Sequence, residues 1–155
     1  MKSNYGKQLN YVKTQFICHS ENVGLSRMLT GCFVGNSNEK NLDLTVSQLE
    51  EIKVAVSEAV SNAIIHGYNS DNKGIVTFIL ESYEKALIIK ISDKGTGIEN
   101  IEQAVQPSFS TKAERMGLGF AFMNSFMDEV IVDSEIGKGT TVTLIKKLPI
   151  KEEMF

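Results

Sequence analysis

The chain of 155 residues is long enough for one domain with a substantial core and too short for two of ordinary size. Its apolar content of 42% and charged content of 23% are typical of a globular protein, and a net charge of −3 argues against binding nucleic acid through its phosphates. The N-terminus lacks the apolar core of a signal peptide, and no apolar run approaches the roughly 20 residues that span a bilayer. We therefore expect one cytoplasmic domain over residues 1–155, with flexible ends at 1–10 and 151–155.

The first part of the chain predicts a strand over residues 11–19 and a helix from a cap at Ser20 to about Val34. Four apolar residues are expected on the buried side of this helix. They are Leu25, Met28, Leu29 and Phe33. This arrangement leaves Arg27 facing outward.

A longer helix is predicted to start after Thr45, which can cap it together with Gln48 in a capping box, and to stop at a left-handed Gly67. Its core-facing side is formed by Leu49, Ile52, Val56, Val60 and Ala63.

A row of polar residues, Glu58, Asn62 and His66, runs down the other side of this helix at spacings of four residues. Apolar neighbours such as Val54 and Ala55 flank the row, so a carboxylate there costs several kcal/mol unless something compensates it. Two interpretations stay open at this point. The row is either a partly wet helix face or the site of a bound cation or water network, and His66 either contacts the ligand or only supports Asn62 or completes the helix.

The second part of the chain predicts two hairpins. Strands at 75–81 and 86–92 form the first, and strands at 129–134 and 140–147 form the second. Between them lies a long segment, 99–116, with one weak helical turn at 101–105, followed by a helix at 120–127. The expected fold is α+β, a two-layer sandwich with helices on one face of a mainly antiparallel sheet.

Two glycine pairs follow predicted strand or loop ends. Asp93 precedes Gly95 and Gly97, where the missing Cβ atoms let a ligand approach the backbone, and the Asp93 carboxylate can accept a hydrogen bond from an exocyclic amine such as that of adenine. Gly117 and Gly119 are expected to open a helix whose first amides favour phosphate. Each pair alone is weak evidence for a nucleotide site, since Asp-x-Gly-x-Gly also makes ordinary turns and glycines often open helices. Phosphate loops of the Gly-x-x-x-x-Gly-Lys type and dinucleotide signatures do not occur in the sequence.

The order of these motifs along the chain is more specific than any single motif. It resembles the Bergerat-type ATP-binding fold of gyrase, Hsp90, histidine kinases and MutL. The order is a helix with Glu and Asn, then Asp-x-Gly-x-Gly after a strand, a long loop, Gly-x-Gly and a late Gly-Thr-Thr. Within that superfamily, segments 51–68 and 123–128 are most similar to the anti-sigma F factors of sporulating bacteria, which are serine kinases. The resemblance covers about residues 12–147.

The resemblance implies roles for individual residues. Glu58 would act as the general base, Asn62 would ligate the Mg²⁺ on the ATP phosphates, and Asp93 would hold the adenine amine with help from Thr140. The segment 99–116 would form a lid over the phosphates. The other implied nucleotide contacts are Gly95, Gly97, Thr111, Lys112, Arg115, Gly117, Leu118 and Gly119.

The resemblance also implies partners. The protein would form a homodimer, bind a sigma factor and phosphorylate an anti-anti-sigma factor, with Arg27 contacting both partners and with no direct contact to nucleic acid or membrane. A related stress-response anti-sigma kinase is a close alternative. A nucleotide-gated binding module is another, but Glu58 argues against it because a pure binder needs no base beside the metal ligand. A histidine kinase fragment would require a further domain.

Overall fold

A computed structural model describes residues 2–35, 42–69, 73–106 and 111–149, while the side chains of residues 2–3 and 111–115 lie outside this description. The strands are β1 (Gln8–Ile17), β2 (Ile75–Tyr83), β3 (Ala86–Asp93), β4 (Glu129–Glu135) and β5 (Gly139–Lys147). They form one sheet in the order β1-β2-β3-β5-β4, in which every neighbouring pair is antiparallel. Both predicted hairpins are confirmed, and β1 begins three residues earlier than expected.

The helices are α1 (Glu21–Gly35), α2 (Val46–Asn62), α3 (Ile101–Ala104) and α4 (Thr111–Phe126), and a π-helical turn, Ala63–Gly67, continues α2. Both α1 and α4 contact α2, and the core lies between these helices and one face of the sheet. The α+β fold is thereby confirmed. Within the described residues, no helix is long and apolar enough to cross a membrane.

The sheet contributes its alternate residues to this core. On β3, Leu87, Ile89 and Ile91 are almost fully buried on the helix side, whereas Ala86 and Ile88 belong to a small apolar cluster on the opposite face. Fully burying one such aliphatic side chain contributes about 1.5–3 kcal/mol, so the helix side of β3 anchors the centre of the domain.

Helix α2 begins as its sequence predicts. The backbone N–H of Gln48 donates to the Thr45 hydroxyl over 3.1 Å, and the N–H of Thr45 donates to the Gln48 side chain over 2.9 Å, which is the predicted capping box. The predicted core-facing side is also confirmed, since Ile52, Val56 and Val60 are fully buried.

The end of this helix differs from the prediction. Gly67 does not have a positive φ angle, and the nearby residue in the left-handed region is Asn69, with a φ of 49°. The prediction of Gly67 as a left-handed stop is therefore wrong. Its lack of a side chain has another reason, because a Cβ atom there would lie 2.8 Å from the carboxylate of Asp93.

The predicted buried side of α1 is confirmed for two of its four residues, since Phe33 is buried and Leu29 packs against the core. It is wrong for Leu25 and Met28, which are 40% and 68% exposed, and the buried residues that were not predicted are Ser26, Thr30 and Val34. The two hydroxyls can be buried because each donates to a carbonyl of the same helix, Ser26 to Val23 over 2.6 Å and Thr30 to Ser26 over 2.8 Å.

Helix α4 starts earlier than predicted. It begins at Thr111, so Gly117 and Gly119 lie inside the helix and do not open it. Residues 111–116 include Lys, Ala, Glu, Arg and Met, which favour helix, and an internal glycine costs only about 1 kcal/mol. The amides of both glycines are thus past the first four, whose N–H groups a helix leaves free. The weak turn predicted at 101–105 is confirmed as α3, which the Asn100 side chain caps.

Candidate functional site

A cavity of about 310 Å³ lies where α2, the loop after β3, α3 and α4 meet above the ends of β3 and β5. Most of its wall is apolar, including Ile91, Ile98, Met116, Phe120 and Val142. Four residues bring polar side chains to it: Asn62, His66, Asp93 and Thr140. A mostly apolar cavity of this size with a few convergent polar groups is typical of a small-molecule site.

Asp93 ends β3 at the bottom of this cavity and is only 8% exposed. Its Oδ1 accepts the N–H of Gly95 over 2.9 Å, and its carboxylate also accepts the N–H of Thr140, which lies opposite it on β5. Burial raises the pKa of Asp93, and the two backbone hydrogen bonds act in the opposite direction. The remaining lone pairs of the carboxylate can accept hydrogen bonds from a ligand in the cavity.

Glycines let the segments around Asp93 pack closely. A side chain at Gly95 would meet the backbone of Gly67, and one at Gly97, whose φ is 77°, would meet the backbone of Glu135. The Thr96 N–H donates to the Gly67 carbonyl over 2.9 Å and holds the same loop against the end of α2. Gly95 and Gly97 are therefore required by contacts within the protein, and their direct contact with a nucleotide stays a prediction.

The row predicted on α2 points toward α4. A Cβ atom added to Gly119 would lie 3.0 Å from Glu58 Oε2 and 3.4 Å from Asn62 Nδ2, so both side chains end beside this glycine. Asn62 and His66 line the cavity, and Glu58 lies one helical turn before Asn62. Desolvation raises the pKa of Glu58. A proton acceptor and a carboxamide thus stand side by side at Gly119, and the carboxamide belongs to the wall of the cavity.

The Asn62 amide carries a specific signal. Its Nδ2 is buried and has no hydrogen-bond partner among the described residues. A buried donor without a partner costs about 1–3 kcal/mol, which a ligand with acceptor oxygens would recover.

Other predicted residues lie elsewhere. Arg27 is exposed on α1, is not among the described residues that line the cavity, and donates from its Nη1 to the Ser57 hydroxyl over 3.3 Å. Leu118 is 47% exposed. The side chains of Thr111, Lys112 and Arg115, predicted to reach phosphates, lie outside the described residues.

Two residues near the cavity were missed by the sequence reasoning. The Tyr68 hydroxyl donates to the carbonyl of Ile75 and accepts the N–H of Lys94, each over 2.7 Å, and so ties the loop after Asp93 to β2. The Ser134 hydroxyl accepts the N–H of Ile98 over 2.8 Å and lies 2.7 Å from the hydroxyl of Thr140. Ser134 lies opposite Thr140 in the register of the closing hairpin, which the sequence prediction of the two strands did not include.

Comparison with known sequences gives consistent matches. The model of a family described as histidine kinase-like ATPase domain matches residues 33–146. The anti-sigma F factor of Geobacillus thermodenitrificans (strain NG80-2) is 49% identical over 142 residues, covering 90% of this chain and 93% of the relative. The anti-sigma F factor of Clostridium beijerinckii is 42% identical over 143 residues, covering 91% and 96%.

Comparison with solved structures supports the fold. The crystal structure of the RsbU and RsbW domains of a Mycobacterium tuberculosis protein matches with a TM-score of 0.64 and 18% identity, covering 90% of this chain and 33% of that one. A blue-light activated histidine kinase of Erythrobacter litoralis matches with a TM-score of 0.53 and 22% identity, covering 83% and 41%. At these identities the likeness concerns the fold alone.

Proposed function

The chain belongs to the histidine kinase-like ATPase domain family and, within it, to the anti-sigma F factors, and from this premise we propose its function. It is an anti-sigma factor that keeps a sporulation sigma factor from RNA polymerase. It also uses Mg-ATP to phosphorylate a serine of an anti-anti-sigma factor. The placement of Glu58 and Asn62 on one helix face, next to the cavity that ends at Asp93, carries the proposal of a kinase.

The base of ATP would enter the apolar part of the cavity. Asp93 is the buried acceptor there, and its carboxylate is held in place by the amides of Gly95 and Thr140. An adenine amine fits this acceptor, because a buried carboxylate oxygen gains most from a partner that donates.

The phosphates would lie toward Asn62. Its unpaired Nδ2 fits a phosphate oxygen, and its amide oxygen is a ligand that Mg²⁺ accepts. Among the described residues, no group of three His, Cys, Asp or Glu side chains is placed to hold a metal, which fits an ion that completes its coordination with water and phosphate. When bound, Mg²⁺ neutralises charge on the phosphoryl oxygens. The side chains of Thr111, Lys112 and Arg115 would reach the same phosphates from the lid.

Glu58 would take the proton of the acceptor serine. The serine oxygen forms the new bond to the γ-phosphorus, the bond from the γ-phosphorus to the bridging oxygen breaks, and ADP carries away that electron pair. The raised pKa of Glu58 brings its proton affinity closer to that of a base working near neutral pH. General base catalysis by a positioned carboxylate contributes about 10²–10⁴ in rate.

The protein partners would approach from the side of α1. Arg27 is exposed there, and large apolar side chains on α1 and the edge strand β1 are also exposed, with Tyr11 at 48% and Met28 at 68%. Single exposed apolar residues are ordinary, but several on neighbouring elements favour a protein contact. We place the sigma factor, the anti-anti-sigma factor and the second copy of a homodimer among the candidates for this side.

The test is a time course with labelled ATP and purified anti-anti-sigma factor. Glu58→Gln keeps the shape of the side chain but cannot accept the proton, so phosphorylation should slow by about 10²-fold or more with ATP binding nearly unchanged. Asn62→Ala should weaken Mg-ATP binding itself. Glu51→Gln, on the same helix, is the matched control for loss of a negative charge and should keep the parent rate.

The outcomes separate the alternatives. If Glu58→Gln phosphorylates as fast as the parent, Glu58 is not the base. If the parent binds ATP and the sigma factor but transfers no phosphate, the nucleotide-gated binding module is the correct function.

A further inference from the structure

Three polar residues lie directly opposite one another on three neighbouring strands. Asp93 on β3 pairs with Thr140 on β5, and Thr140 pairs with Ser134 on β4. Asp93 and Thr140 line the cavity, and Ser134 stands behind Thr140 as its 2.7 Å hydroxyl neighbour. Ser134 therefore reaches the cavity only through Thr140.

The hydrogen bonds of Ser134 decide which way this hydroxyl pair is oriented. The N–H of Ile98 can only donate, so the Ser134 oxygen accepts it over 2.8 Å. The carbonyl of Gly139 can only accept, so it takes the single proton of Ser134 over 3.2 Å. At 2.7 Å either hydroxyl of the Ser134–Thr140 pair can donate, and the arrangement in which Ser134 donates to Gly139 and Thr140 donates to Ser134 is the one that keeps all three hydrogen bonds of Ser134.

The consequence for the cavity is chemical. With its proton used toward Ser134, the Thr140 oxygen offers only lone pairs on its other side, next to the Asp93 carboxylate, which also only accepts when ionised. The end of the cavity thus presents two neighbouring acceptors. An amino group, with two N–H donors, matches this pair, and a carbonyl oxygen at the same position does not.

We propose that Ser134 is a specificity-determining positioning residue, which fixes the Thr140 hydroxyl as an acceptor and so makes the site select 6-aminopurine over 6-oxopurine nucleotides. The proposal rests on the proposed function, because it takes the base to lie at Asp93. It adds a residue behind the site whose removal alters the choice of base without removing any group that touches the ligand.

The neighbouring strands offer a matched control. Ser92 and Thr141 form a second hydroxyl pair at 2.8 Å on strands β3 and β5. These residues precede and follow Asp93 and Thr140 in sequence, so they point to the opposite face of the sheet. Ser92→Ala removes one hydroxyl of a similar pair without touching the orientation of Thr140.

The experiment measures the dissociation constants of ADP and IDP by isothermal titration calorimetry. IDP differs from ADP by having a carbonyl in place of the amine. In Ser134→Ala the Thr140 hydroxyl is released and can turn to donate to that carbonyl. The ratio of the IDP to the ADP dissociation constant should therefore fall by about tenfold, the equivalent of one hydrogen bond. Ser134→Thr, which restores a hydroxyl, should return the parent ratio, and Ser92→Ala should keep it.

The ratio of the two dissociation constants distinguishes a change in base selectivity from a general loss of nucleotide affinity. Loss of the Ile98 hydrogen bond can weaken both nucleotides, but it would do so equally. An unchanged ratio in a Ser134→Ala protein that still binds ADP overturns the proposal, as does a parent that binds IDP as well as ADP. A parent that binds neither nucleotide contradicts the proposed function itself. If Ser134→Ala does not fold, Ser134→Cys, whose thiol is only a weak hydrogen-bond acceptor, must lower the same ratio.

Discussion

Gly119→Ala is expected to slow catalysis while it leaves the stability of the protein almost unchanged. It lies in the middle of α4, and a Cβ atom there would stand 3.0 Å from Glu58 Oε2 and 3.4 Å and 3.5 Å from the two amide atoms of Asn62. Ordinary contacts of a Cβ atom begin near 3.4 Å, so Gly119→Ala must move the Glu58 carboxylate by a few tenths of an ångström. The amide N–H of residue 119 is retained.

The two effects of this substitution have opposite signs. Alanine in place of an internal helical glycine is favourable by about 1 kcal/mol. A displaced Glu58 side chain costs about 0.5–1.5 kcal/mol if it leaves its preferred rotamer, so stability should change little. A misplacement of about 1 Å costs roughly 10²-fold in rate, so a displacement of about half that should slow phosphate transfer by about tenfold.

The assay is single-turnover phosphorylation at saturating ATP, together with the melting temperature of each variant. Gly35→Ala is the matched control, because it adds a Cβ at the end of α1 with nothing within 4 Å. It should leave the rate unchanged. A Gly119→Ala protein that phosphorylates at the parent rate would refute the reasoning. So would a Gly119→Ala protein whose lower rate is explained by a lower melting temperature, with part of the protein unfolded in the assay.

Three further predictions follow from the charged groups. Burial raises the pKa of Glu58. At pH values between the ordinary pKa and the raised pKa, the folded state therefore binds more protons than the unfolded state. The free energy of unfolding must then fall as the pH rises through this range. Glu58→Gln should thus melt higher than the parent at pH 7, with the difference vanishing below about pH 4, and the parent rate should fall as Glu58 is protonated. Asp93→Asn should lose most of the rise in melting temperature that ATP causes, and GTP should not stabilise the parent as ATP does. Arg27→Ala should weaken partner binding by about 2 kcal/mol with the ATP-induced thermal shift intact, since it removes only an exposed hydrogen bond to Ser57.

The sequence was sufficient wherever a feature depends on residues that are close along the chain. The capping box of Thr45 and Gln48, the apolar side of α2 and both hairpins were predicted because capping, helical periodicity and strand alternation act over a few residues. The order of the motifs also identified the family, which the comparisons confirm.

Two features of single helices were misjudged, because the side of a helix that faces the core and the residue at which it starts also depend on the elements that pack against it. The buried side of α1 was predicted from apolar residues, but Ser26 and Thr30 satisfy their hydroxyls within the helix and so can face the interior. The start of α4 was misplaced because a glycine pair was read as a helix start.

The site itself shows where the sequence reaches its limit. The reason for Gly67 is the Asp93 carboxylate, and the neighbours of Gly119 are Glu58 and Asn62, all contributed by other elements. Ser134 meets Thr140 only through the strand register. Local sequence determined which groups the chain carries and the helices and strands that carry them. Only the packing of α2 on α4 and the pairing of β3, β5 and β4 decided which groups meet, because a hydrogen bond or a steric contact depends on a few tenths of an ångström between atoms that are far apart along the chain.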